Sequence, residues 1–393
     1  MRRRRLLRAL SAGLVVTAAG CLASPPDGQP GTAATPSESG PATPTAAEPS
    51  STPAPTTVDG VELPVPRSEM RQPLPRDYIP AIVEPAFAES WGGLDAGGRD
   101  PTLPDDAPVL GVERAGRARA YPLRILDHHE VVNDDHGGPI AVTYCVLCGS
   151  GVVFERQVTG EPTTFGVSGK LWRSDLVMYD DLTDSLWSQL MATAIGGPRT
   201  GDRLAVLPST LTTWSEWQTT HSGVEVLLPP PHSTAIPEYD RSFDYFSPKY
   251  GYGDESQLVG RDSHDGDLHP KTMVVGLESG GTARAYPFPV MTAEGIVNDR
   301  VGGRPVVVAV AHDDTLVAYD RRIDGETLGF ESDGDRYLAG GGSRWNRATG
   351  VAMDGPFAGQ KLRRANNHPP MFWNGWSKFN PETDVYGLDR STG

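Results

Sequence analysis

Lysine, cysteine and long apolar runs are what this 393-residue chain has little of. Three cysteines, Cys21, Cys145 and Cys148, are too few for a disulfide-stapled scaffold, and a chain of this length builds a core without one. Lysine occurs only at Lys170, Lys249, Lys271, Lys361 and Lys378, and the net charge is −15. Such a balance excludes nucleic acid as a partner, because phosphate backbones need a basic face. It fits a high-salt setting, where ions screen self-repulsion; a GC-rich genome favouring Arg, Asp and Ala codons gives the same composition. No Gly-rich phosphate loop, Gly-x-Ser-x-Gly or His-Glu-x-x-His occurs, so nucleotide, serine-hydrolase and zincin chemistry lack their usual carriers. Beyond the N-terminus, no apolar run is long enough to span a bilayer.

What the chain does carry begins with MRRRRLLRALSAGLVVTAAGC. A basic start, a short apolar stretch and small residues predict an export signal over 1–21. Arg3-Arg4-Arg5-Leu6-Leu7 resembles a twin-arginine signal, and Ala18-Ala19-Gly20-Cys21 a lipobox that lipidates Cys21. The expected location is the outer face of the cell membrane, with the lipid anchor as the membrane partner. Residues 22–60 are nearly all Pro, Thr, Ala, Ser and Gly, which predicts a disordered stalk. Residues 61–105 read as a lead-in.

The rest is an internal repeat. ARAYPLRILDHHEVVNDDHGGPIAV matches ARAYPFPVMTAEGIVNDRVGGRPVV, carrying Tyr121 onto Tyr286 and Asn133 onto Asn298 at an offset of 165 residues. Trp214-x-x-Trp217 later meets Trp373-x-x-Trp376. We expect a β-rich α+β fold of two tandem homologous repeats, 106–230 and 270–388, joined by a connector at 231–269. Short β-branched and aromatic runs predict mostly antiparallel strands, with about one helix per repeat. In the first repeat, Thr213-Trp214-Ser215-Glu216 reads as a capping box.

The repeat separates fold from chemistry. Opposite Cys145, Cys148 and His129 stand Val310, Asp313 and Glu294, so the fold needs neither the thiols nor the histidine. Cys-x-x-Cys-Gly is a metal-knuckle spacing, with the glycine free to take a positive φ at the hairpin tip. ILDHHEVVNDDHGG, read as a strand, offers one of His128 and His129 to the thiols, and His129 is the expected third ligand. His128, His136, Ser168 and Asp175 are further pocket candidates. A Cys2His site suits a copper or zinc ion, copper first because thiolates favour Cu(I). The alternatives are a thiol–disulfide oxidoreductase and a non-catalytic ligand- or protein-binding module. A metal-handling or redox protein is the partner either metal or thiol chemistry calls for.

HHEVVND, TYCVLCGSGVVFER, TFGVSGKLWRSDLVMYD, SLWSQ and TTWSEW, in that order, resemble the prokaryotic family called domain of unknown function 3179. The resemblance is strong over the first repeat and weak over the second. It implies exported or membrane-anchored proteins, frequent in halophilic archaea, and no settled activity. His129, Cys145, Cys148, Ser168 and Asp175 fall on its recurring motifs. Val146 stands where family members often have proline, which touches the stiffness of the turn more than ligand chemistry.

Overall fold

The computed structural model describes residues 55–238, 243–246, 268–311, 315–366 and 368–388. The expected export signal, Cys21 and most of the expected stalk and connector lie outside them. The fold is β-rich, with four α-helices among the described residues: α1 Leu123–His129, α2 Trp214–Thr220, α3 Phe288–Glu294 and α4 Trp373–Phe379.

A hairpin, Pro108–Arg114 with Arg117–Pro122, leads into α1 and then into the meander Val131–Asp135, Pro139–Cys145 and Ser150–Glu155. In the second half, Met273–Ser279 with Thr282–Pro287 leads into α3, then Ile296–Val301, Arg304–Val310 and Leu316–Asp320. After α2 and α4, short strands return parallel to the second strand of each hairpin. Side chains match as well as elements. Tyr121 and Arg119 both bond Asp134, at 2.6 and 2.9 Å; Tyr286 and Arg284 both bond Asp299, at 2.8 and 2.7 Å. Asn133 makes a two-way amide bridge to Phe165, and Asn298 to Phe330. The amide oxygen accepts the backbone N–H and the amide nitrogen donates to the carbonyl, so each Asn pins a distant strand.

Trp217 and Trp376 lie flat on glycine. A Cβ on Gly111 would stand 2.5 Å from the Trp217 ring, and one on Gly276 closer still to Trp376. Thr213 caps α2 by accepting from the Glu216 N–H, as its capping box predicts.

Three expectations need correction. Each half has two helices rather than one, because ILDHH forms α1 and not a strand. Its apolar residues at 123, 125 and 126 bury against the core at helical spacing. The lead-in is part of the fold: Ala81–Glu84 inserts into the six-stranded sheet, parallel to Val131–Asp135. The end of the stalk is structured too, as Thr56–Val58 pairs with Val61–Leu63.

Candidate metal centre

The cysteines sit at a hairpin tip. Pro139–Cys145 and Ser150–Glu155 pair antiparallel with Cys145 opposite Ser150, so residues 146–149 form the turn. Gly149 closes it at φ +57°, a conformation L side chains avoid, and leaves room for the Phe372 ring, which a Cβ would strike at 2.6 Å. Cys145 and Cys148 are free thiols at 1% and 0% exposure. Both donate to one acceptor, the Ser174 carbonyl, at 3.6 and 3.3 Å.

Asp175 brings the third donor. Its carboxylate and the two sulfurs all lie within 4.8 Å of one another. Arg173 and Ser174 both take positive φ, +50° and +65°, making the tight corner that aims the Ser174 carbonyl and Asp175 at the knuckle. Asp175 Oδ2 accepts from Ser188 Oγ at 2.6 Å and from the Leu190 N–H at 3.1 Å. Oδ1 is buried with no hydrogen-bond partner among the described residues. Burial pushes this carboxyl up to about 7 against those bonds. The Cys148 thiol is held well above its usual range by its hydrogen bond with Cys145, by burial and by the nearby acid groups. Cys148 and Asp175 therefore resist ionising without a cation.

The second half closes the site. The Phe372 N–H donates to Cys148 O at 2.8 Å, and a Cβ on Gly375 would meet Cys148 Cβ at 2.9 Å. Lys378, one turn on, donates to Ser174 Oγ at 2.6 Å. Beneath the turn, Gln189 bonds Ser150 and Thr143, at 2.9 and 3.1 Å, which fixes the hairpin's root.

His129 is not brought to the thiols. It ends α1, buried, with Nδ1 2.7 Å from Pro80 O and Nε2 2.6 Å from Tyr245 Oη. A carbonyl only accepts, so Nδ1 carries the proton and Nε2 accepts from the tyrosine. Burial lowers its pKa to about 4, in keeping with a neutral ring. The expected Cys2His set is thus replaced by Cys2Asp, because a helix turns His129 away where a strand was assumed. His128 stacks on Phe243 with ring centroids 4.7 Å apart. His136 Nε2 meets Val112 O at 3.3 Å. Ser168 donates to Val177 O at 2.5 Å within a β-bulge, a turn-holding role.

Glu130 was missed. It is 7% exposed, at φ +55°, directly after α1, where the matching position is Gly295 at φ +72°. A non-glycine residue held there costs about 1 kcal/mol. Burial, with Asp127 and Asp175 adding to it, pushes this carboxyl up to about 8. Glu130→Gly is therefore expected to raise the unfolding free energy near pH 7 by several kcal/mol, from the relieved backbone and from the removed buried carboxyl. A loss in urea titration would show a compensating contact of the carboxyl. The sequence signal was a glutamate standing opposite a glycine.

The family model described as "Protein of unknown function (DUF3179)" matches residues 76–383. No curated protein and no solved structure matches the chain.

Proposed function

Because the chain belongs to the DUF3179 family, whose description states no activity, we propose a function from the site alone: Cys145, Cys148 and Asp175 bind a transition metal. The observation that carries this reading is the buried, unpartnered Asp175 Oδ1 within 4.8 Å of two buried thiols. Two thiolates and a carboxylate favour zinc over Cu(I), since the hard oxygen suits the borderline ion. The sequence put copper first; the carboxylate moves the preference to zinc. Three protein donors leave a fourth position for an exogenous ligand. The recurring elements and matched side-chain bonds support a duplicated chain whose second half has lost the donors and serves as a lid.

Elemental analysis of the full chain purified without chelator is the test. About one equivalent of zinc, absent in Cys145→Ser, supports the site. A metal-free protein with a Cys145–Cys148 disulfide overturns it. Thiol–disulfide exchange is the second reading, favoured by the closeness of the two sulfurs, which lie within 4.8 Å of each other. Against it stands their burial.

Export with lipid attachment at Cys21 completes the proposal. Labelling cells with a fatty-acid probe should mark the wild-type chain and not Cys21→Ala; equal labelling of both would refute the anchor.

A further inference from the structure

A cleft of about 1420 Å³ opens between elements of the two halves, with Gly111 and Trp217 on one side and Gly276 and Trp376 on the other. Its lining departs from the charge of the chain. In a protein of net charge −15, six cations line it, Arg173, Arg203, Arg304, Lys361, Arg363 and Arg364, against the acids Asp59, Glu113 and Glu278.

The surplus is concentrated on one wall. Arg304, Arg322 and Arg363 all pair with a single carboxylate, Asp320, at 3.0, 2.7 and 2.7 Å. Arg364 bonds neutral oxygens, Thr210 Oγ1 at 2.9 Å and Ala348 O at 3.0 Å. Of these, Arg304 and Arg363 line the cleft with Arg364, so the lining guanidiniums there outnumber the one carboxylate they meet, which Arg322 shares. Lys361 and Arg203 are partly offset, by Glu113 and Asp59.

Beside the arginines the cleft is lined by residues whose hydrogen-bond groups have no partner among the described residues. Ser209 and Trp217 line the cleft, are 8% and 3% exposed, and carry buried polar atoms, Oγ and Nε1, with no partner among the described residues. His368 Nδ1, also on the cleft, is a third such atom. The matching tryptophan is satisfied: Trp376 Nε1 donates to Thr383 Oγ1 at 3.0 Å. So the orphan donor is not an unavoidable result of laying an indole on a glycine. Ser209 is the neighbour of Thr210, which Arg364 touches, so the orphan hydroxyl and the arginine wall adjoin.

Buried donors without acceptors cost about 1–3 kcal/mol each unless a ligand or water meets them. Unpartnered donors close to forked guanidiniums match oxyanions, which accept from both. We propose that this cleft binds a small molecule carrying two or more carboxylate or phosphate groups, held between Arg304, Arg363 and Arg364 and the donors Ser209 and Trp217. Its volume exceeds what a single inorganic anion fills.

Isothermal titration of the full chain at low salt, with citrate, pyrophosphate and uncharged sucrose as probes, is the test. Citrate and pyrophosphate separate carboxylate from phosphate recognition. The expected result is saturable binding of one or both anions, none of sucrose, and weakening as sodium chloride rises. Arg363 has a side chain 71% exposed, so Arg363→Ala keeps the fold. It and Ser209→Ala should each weaken binding about tenfold. No saturable heat with either anion, or unchanged affinity in both variants, would overturn the proposal.

Discussion

Zinc added to the chelator-stripped protein at pH 7.5 binds with one-to-one stoichiometry and stabilises the fold by about 4 kcal/mol when free zinc is a thousandfold above its dissociation constant. The effect is large because the knuckle presents three acidic groups and an unpartnered oxygen in an apolar core with Val131, Val152 and Phe165. Cys145→Ser or Cys148→Ser removes the binding, since a hydroxyl does not ionise to replace a thiolate. Asp175→Asn weakens it at least about tenfold while leaving a neutral group to meet Ser188 and Leu190. His129→Ala separates the readings of the site. It leaves zinc stoichiometry unchanged, yet destabilises the protein by about 1–3 kcal/mol, because Pro80 O and Tyr245 Oη lose their partner. Competition against a zinc-responsive dye and urea unfolding measure both quantities. Zinc lost on replacing His129 and retained on replacing Asp175 would sink the Cys2Asp assignment.

The metal-free protein loses stability as pH rises from about 5 to 8. Burial pushes the folded Asp175 and Glu130 carboxyls up to about 7 and about 8, from the 3.8 and 4.5 ordinary for these side chains. Between those values the folded chain holds protons that the unfolded chain has released, so unfolding becomes easier with increasing pH. The two groups together remove several kcal/mol by pH 7, roughly 3 kcal/mol each if they acted alone. Their contribution is fully favourable only below about pH 4, where both forms are protonated. Urea unfolding at pH 5, 6, 7 and 8 with chelator present should show the decline, and Asp175→Asn should flatten it. A rise in stability over this range would contradict the assignment. Saturating zinc should cancel the part due to Asp175, because a coordinated carboxylate is already ionised.

The cysteine hairpin was legible because its information is local: spacing, glycine and flanking strands together define the tip. The pairing of Tyr121 with Tyr286 and Asn133 with Asn298 was legible from the similar ARAYP and VND segments, and these side chains make like bonds, to Asp134 and Asp299 and to Phe165 and Phe330. His129 was misplaced because HHEVV alternates acceptably as a strand while LRILDHH also fits a helix, and packing decided between them. Asp175 ranked only as a pocket candidate, since an aspartate after a turn looks like surface in an acid-rich chain. Gly375 left one trace, a glycine inside a helix opposite Glu216; its contact with Cys148 spans most of the fold, and no local pattern announces it.

The lid also sets an order in time. Lys378 and Ser174 are 204 residues apart, so the contact that seals the knuckle joins the first half to α4, the last of the described helices. Closing so long a loop comes late relative to hairpin formation. A chain emerging from its N-terminus forms the Cys145–Cys148 turn while its cover does not yet exist. During that interval both sulfurs face the surroundings, and whatever reaches them first, an ion or an oxidant, is what the arriving helix then locks in.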